Sequence, residues 1–139
     1  MTPITSRPMD FDVLSREDCL RLLASGWLGR ISVSIAALPA ILPVGYLLMD
    51  DSVVFRSAPS SKLDALGRGE VICFQADDVD RQTRTAWSVS VVGRAEVISD
   101  EAQLGALATV EEDLWPSITT AAWLRLGTDM ITGRHIGAV

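Results

Sequence analysis

Apolar and polar residues alternate through residues 27–36, most cleanly in Ile31-Ser32-Val33-Ser34-Ile35. A period of two belongs to a strand with one buried face and not to a helix. A turn of small residues separates this run from a second apolar stretch, 38–48. Met49-Asp50-Asp51-Ser52 is polar and of hairpin length, and residues 53–57 return as a third strand. Residues 71–75 and 87–98 are β-rich, with a charged connection at 77–85 between them. Gly93 inside the second run predicts a bulge or bend. Residues 122–126 and 131–136 close the series as two short strands.

Helical punctuation frames these strands. Ser15 is a good N-cap, Asp18 favours the free N–H groups of the first turn, and Leu14 and Cys19 are spaced as a hydrophobic staple. Leu20, Leu22 and Leu23 form an apolar stripe that ends at Gly26. Ser60 or Ser61 caps a short helix through Lys62, Leu63, Ala65 and Leu66, ended by Gly67 and Gly69. A third helix is expected over 100–110, capped by Ser99 or Asp100; residues 111–117, with Pro116, read as irregular. The stretch 31–49 carries no charge, but Pro39, Pro43 and Gly45 interrupt it, and its alternation makes two strands and not a membrane span. The expected fold is mainly β with short helices, a six- to seven-stranded antiparallel barrel, since closure removes edges that such apolar runs would make sticky. Residues 1–12 read as a flexible arm and not a secretory leader, and 13–139 as a single domain.

Composition narrows the function. The 139 residues suit one domain with a full core. A net charge of −6 argues against a general nucleic-acid binder. With one histidine and two cysteines, a Cys/His zinc finger is excluded, and a Ser-His-Asp triad would have to use His135. Cys19 and Cys73 read as buried thiols of a cytoplasmic protein. No P-loop, no dinucleotide-binding glycine motif and no H-E-x-x-H occurs, and Asp77, Asp78 and Asp80 read as a solvated turn. Lys62 is the only lysine against eleven arginines.

That lysine lies in the most informative segment, Phe55-Arg56-Ser57-Ala58-Pro59-Ser60-Ser61-Lys62, which leaves a strand and opens a helix. It offers a guanidinium, hydroxyls, an ammonium and a helix N-terminus, a set suited to a phosphate monoester. An ordinary capped helix with exposed charges has the same composition.

Four segments in order carry a family resemblance: Leu42-Pro43-Val44-Gly45-Tyr46, then Val54 through Leu63, then Trp87-Ser88-Val89-x-Val91-x-Gly93-Arg94-Ala95, then Ile131-Thr132-Gly133-Arg134. Together they resemble the pyridoxamine 5′-phosphate oxidase-like, FMN-binding split β-barrel family, over residues 14–136. The resemblance implies a homodimer with FMN in the groove between subunits and a flavin-dependent oxidoreductase acting on a small molecule. It implies that Arg56, Ser57, Ser60, Ser61 and Lys62 grip the flavin phosphate. Pro43, Val44, Gly45 and Tyr46 would run under the flavin ring, with Trp87 and Ser88 in the same region. Trp123 and Arg134 would approach the cofactor, often from the partner subunit. No side chain is expected to be catalytic, and no metal or membrane is implied.

The chain departs from the family pattern at Gly45, where many relatives have Asn, at Ala86, where Gly is usual, and at Thr128, where Pro is frequent. The substrate-binding Arg and His pattern of true pyridoxamine phosphate oxidases is missing, so vitamin B6 oxidation is not implied. Two other readings compete. One is a reductase using the deazaflavin coenzyme F-420, whose acidic tail calls for a broad basic groove. The other is a non-catalytic flavin-binding, carrier or stress-linked protein.

Overall fold

The computed structural model describes residues 10–57, 69–110 and 122–137. Within them are eight strands and two helices: β1 (Asp10–Val13), α1 (Arg16–Ser25), β2 (Leu28–Ile35), β3 (Leu38–Met49), β4 (Ser52–Ser57), β5 (Val71–Asp80), β6 (Thr85–Val97), α2 (Glu101–Ala108), β7 (Ala122–Leu126) and β8 (Met130–Gly137). The expected short helix after Ser60 and the segment 111–117 lie outside the described residues.

Six strands close a barrel in the order β6-β5-β2-β3-β4-β7, with β7 returning to β6, and each of these pairings is antiparallel. β6 serves two neighbours. Its first part, Ala86 to Val92, pairs with β8, and its last part, Ala95 to Val97, pairs with β7. β8 and then β1 extend the sheet outward from β6. The end of the expected N-terminal arm is therefore ordered strand: Asp10–Val13 pairs with Arg134 to Gly137.

Two further expectations are revised. Pairing runs unbroken through Gly93, which sits opposite Ile72, so there is no bulge. A Cβ at Gly93 would lie 3.2 Å from Leu126 Cδ1, so the glycine fits a close approach where β6 changes partners. The charged connection at 77–85 is mostly strand. Asp77 to Asp80 pair with Thr85 to Ser88, and only residues 81–84 turn. The Asp80 carboxylate accepts from Gln82 N (2.9 Å) and Thr83 N (3.2 Å), so that acidic side chain organises the turn. Continued backbone pairing outweighed the low strand propensity of Asp.

The barrel interior is apolar and closed. Tyr46, Phe55, Phe74, Val89, Val91, Leu124 and Leu126 are buried there. α1 covers it with Cys19 and Leu23. Ser15 caps α1 by accepting from Asp18 N at 3.1 Å. Gly26 ends the helix with extended backbone (φ −99°), its N–H bonded to Leu23 O at 3.1 Å. Leu14 and Cys19 meet over Gly133, where a Cβ would lie 2.5 Å from Cys19 Sγ. Neither cysteine is in a disulfide, and burial pushes both thiols above their usual pKa.

Outside β4 and β7, α2 covers a second cluster of Val54, Ile98, Leu107 and Trp123. α2 is capped by Asp100, which accepts from Ala102 N and Gln103 N. Thr128 is buried and ties three loops together: its hydroxyl donates to Asp51 O (2.6 Å) and accepts from Arg16 Nη2 (2.9 Å).

Candidate functional site

The hairpin register fixes which side chains share the outer face of the barrel. Val44 and Tyr46 point inward on β3, so Gly45 belongs to the outer face, where it is buried. Val53 and Phe55 point inward on β4, so Arg56 is also outward, with Val54. Arg56 is opposite Trp123 on β7, and the β3–β4 pairing ends at Tyr46 opposite Phe55. Gly45 is in turn opposite Leu28 on β2.

Arg56 is the unusual member of this group. It is only 5% exposed, and its guanidinium carbon is 5.1 Å from the centre of the Trp123 ring. Burying a cation is costly unless something compensates its charge. An aromatic face provides part of that compensation, about 0.5–2 kcal/mol. The structure thus holds a positive charge in a low-dielectric position at the start of the segment rich in serine and lysine. Of that segment's expected ligands, Ser57 is paired through its backbone with Ala122, while Ser60, Ser61 and Lys62 lie outside the described residues.

A second group lies on β5, β6 and β8. Ser88 is opposite Asp77 on one side and Arg134 on the other. Arg134 is exposed and continues to Val13 on β1. Gln75 Nε2 donates to Ser88 Oγ (3.1 Å) and to Asp77 Oδ2 (2.9 Å), and Arg30 Nη1 donates to Gln75 Oε1 (3.1 Å). Trp87 is half-buried and packs against the barrel core.

Between the two groups the barrel is split. β2 and β5 pair only from Arg30–Gln75 to Ser32–Cys73, although β2 begins at Leu28 and β5 continues to Asp80. Where they part, a cleft of about 270 Å³ opens, lined by Ser25, Gly26, Trp27, Leu28 and Arg30 on one side and Asp77, Asp78 and Trp87 on the other. Trp27 is 58% exposed.

The expected site residues therefore sort into two sets. Arg56 and Trp123 come together on β4 and β7, with Gly45 on the outer face of neighbouring β3; Ser88 pairs with Arg134 on β6 and β8, and Trp87 lines the cleft. Pro43 is exposed on the outer face of β3, opposite Arg30. Val44 and Tyr46 have inward side chains: Val44 is core, and the Tyr46 hydroxyl donates to Leu23 O at 2.7 Å. Those two side chains serve the barrel, leaving only their backbone to a ligand. Trp27, Arg30, Gln75, Asp77 and Asp78 were not singled out by sequence as a cleft. The available signal was an aromatic residue placed directly between a helix-ending glycine and a strand.

Comparison with known proteins fits this geometry. A family model described as pyridoxamine 5′-phosphate oxidase matches residues 15–135. The chain belongs to that family. The uncharacterized protein Rv0080 of Mycobacterium tuberculosis is 35% identical over 130 residues, which is 90% of this chain and 85% of that protein. The solved FAD binding protein of Mycobacterium smegmatis is 32% identical, with a TM-score of 0.73, over 90% of this chain and 97% of its own. A solved FAD-binding protein of Mesorhizobium loti has a TM-score of 0.77 over 93% of this chain and 98% of its own; at 22% identity it shows the split β-barrel fold alone. Among the described residues no group of His, Cys, Asp and Glu is arranged to hold a metal ion, and no helix is long and apolar enough to cross a membrane.

Proposed function

We propose that this chain is a flavin-nucleotide-binding oxidoreductase that works as a homodimer in a reducing compartment, the cytoplasm. The observation that carries the reading is Arg56: a buried guanidinium on an outer barrel face, stacked on Trp123, where a strand leads into Ser57, Ser60, Ser61 and Lys62. A phosphate would be held by Arg56 and Lys62 with serine hydroxyls donating to it. Gly45 fits the same role, since a buried glycine on that face lets a flat ring approach the backbone of β3. A bound flavin would supply hydride or electron transfer. The protein's part is to anchor the phosphate, orient the ring and exclude water.

FMN is the cofactor the phosphate motif suits. FAD is the second reading, favoured by the likeness to the FAD binding protein of Mycobacterium smegmatis. The deazaflavin reading has less support, because its acidic tail calls for a broad basic groove and the chain has a net charge of −6. The carrier reading is separated from the enzyme by reduction: a protein that binds flavin but never passes electrons to an acceptor is a carrier.

The dimer is supported by the outer face. Ile41, Ser32, Cys73, Val92 and Met130 form one cross-strand row over β3, β2, β5, β6 and β8. Ile41 (69%) and Met130 (65%) are among its exposed members. Apolar residues gathered on one face mark an interaction surface.

Absorbance titration with FMN, FAD and F-420, with light scattering on the same sample, tests the reading. The expected result is a dimer that takes up FMN or FAD and perturbs the flavin band. Replacing Arg56 and Lys62 by Ala is expected to weaken uptake by about 1.5–3 kcal/mol per residue without unfolding the protein. Uptake equal to the parent's would remove the phosphate assignment. Ile41→Asp is expected to give monomer with weakened flavin uptake; an unchanged dimer would remove the shared-groove model.

A further inference from the structure

We infer that the cleft between β2 and β5 is a binding site for a flat aromatic cation, the substrate class this protein would present to its flavin. The substrate role rests on the flavin reading above; the cleft's ligand class rests on its own geometry.

Three observations point to that class. The first is shape. The cleft is formed where two strands of a closed barrel separate, and its volume of about 270 Å³ is generous for a small fused-ring system. About 150 Å³ already accommodates benzene in a closed apolar cavity. The second is its walls. Trp27 enters from the β2 side and Trp87 from the β6 side, so indoles flank the opening. Trp27 leaves more than half its surface in water, although its backbone is fixed by the bond from Tyr46 N to Trp27 O (2.9 Å). An anchored but uncovered indole is a stacking surface.

The third is charge. The cleft's one cation, Arg30, is already engaged: it lies 3.5 Å from the Asp77 carboxylate and donates to Gln75. Asp78 then leaves the cleft with an excess negative charge. The other side of Trp87 opens on a smaller cavity of about 90 Å³, lined also by Asp78, Asp80 and His135. A ligand seated in the cleft therefore meets two indole side chains and a surplus of carboxylate. Both favour a delocalised cation over an anion or a neutral ring. The net charge of −6 adds a long-range field of the same sign.

The test uses two rigid tricyclic probes of opposite charge, proflavine (cationic) and 9-anthracenecarboxylate (anionic). Both are titrated into the full-length protein and followed by probe anisotropy, with and without saturating FMN. Proflavine is expected to bind about tenfold or more tightly than the anion, and Trp27→Ala to cost it about tenfold. Asp78→Asn is expected to weaken proflavine by about threefold and to flatten its salt dependence, while FMN uptake stays unchanged. Equal binding of the two probes would overturn the assignment, as would proflavine binding insensitive to Trp27→Ala. Proflavine displaced stoichiometrically by FMN and indifferent to both variants would show that it occupies the flavin seat, which also overturns it. If FMN fails to bind but proflavine shows the expected pattern, the cleft assignment stands and the flavin reading falls.

Discussion

Tyr46 and Arg56 sit on adjacent strands, both buried, on opposite faces of the same sheet. Tyr46 faces the barrel interior, where its ring meets Phe74 edge-on at 4.9 Å and its hydroxyl is bonded to α1. Arg56 faces outward, where its guanidinium lies over the Trp123 ring. Inside, every buried group has an evident structural use. Outside, a cation is buried where an aliphatic side chain would pack at less cost. The contrast between the two faces is what the proposed phosphate site rests on.

The largest effect is expected inside. Phe74→Ala removes a fully buried ring and is expected to cost about 3–5 kcal/mol in urea unfolding. An unchanged midpoint would show that the interior is not the stabilising half. Gly29→Ala sharpens the same point, because its Cβ would lie 2.5 Å from the Phe74 ring and 2.9 Å from Gln75 O. That substitution is expected to cost about 1–3 kcal/mol. Arg56→Ala, by contrast, is expected to change flavin uptake far more than stability; loss of the folded state would collapse the contrast between the faces.

Tyr46→Phe is expected to cost about 1 kcal/mol at neutral pH through the lost hydrogen bond. Its pH dependence is more telling. Burial pushes the Tyr46 pKa from 10.0 up to about 12. The folded state therefore binds this proton more tightly than the unfolded one. Its contribution is complete below pH 10 and is lost as pH rises from about 10 to about 12. Urea midpoints across that window are expected to fall more steeply for the parent than for Tyr46→Phe; parallel curves would show that the hydroxyl is solvated.

The smallest effects belong to the exposed surface. Ala36 and Ala37 turn between β2 and β3 with φ of 50° and 66°, a conformation that costs an alanine free energy. Ala37→Gly is expected to raise the thermal midpoint slightly, by a gain of about 0.5–1 kcal/mol. Glu96→Gln breaks an exposed 3.0 Å ion pair with Arg125 and is expected to change stability by less than about 1 kcal/mol.

Much of this fold was legible in the chain because its signals are local. The period-two alternation of 31–35 and the Ser15 cap each depend on residues within one element and appear where the pattern placed them, and of Ser99 and Asp100 it is Asp100 that caps α2. Asp77 to Asp80 were misread because an acidic run resembles a turn until a partner strand is known. Of the bulge or bend expected at Gly93, the bulge does not occur, because a glycine needed for close packing looks the same in sequence as one needed for a bulge.

The sequence by itself determined seven of the eight strands in outline, the family and the residue types able to hold a phosphate. Only the tertiary structure decided which of them meet. Arg56 joins Trp123 through a pairing of strands 67 residues apart, and no local pattern encodes that register. The split follows from β2 and β5 parting after Arg30 and Gln75, a consequence of closing a twisted sheet into a barrel. Trp27, Trp87, Asp77 and Asp78 acquire a common cleft only there. Chemistry is carried by residue type, but a site is a juxtaposition, and juxtaposition is set by long-range pairing.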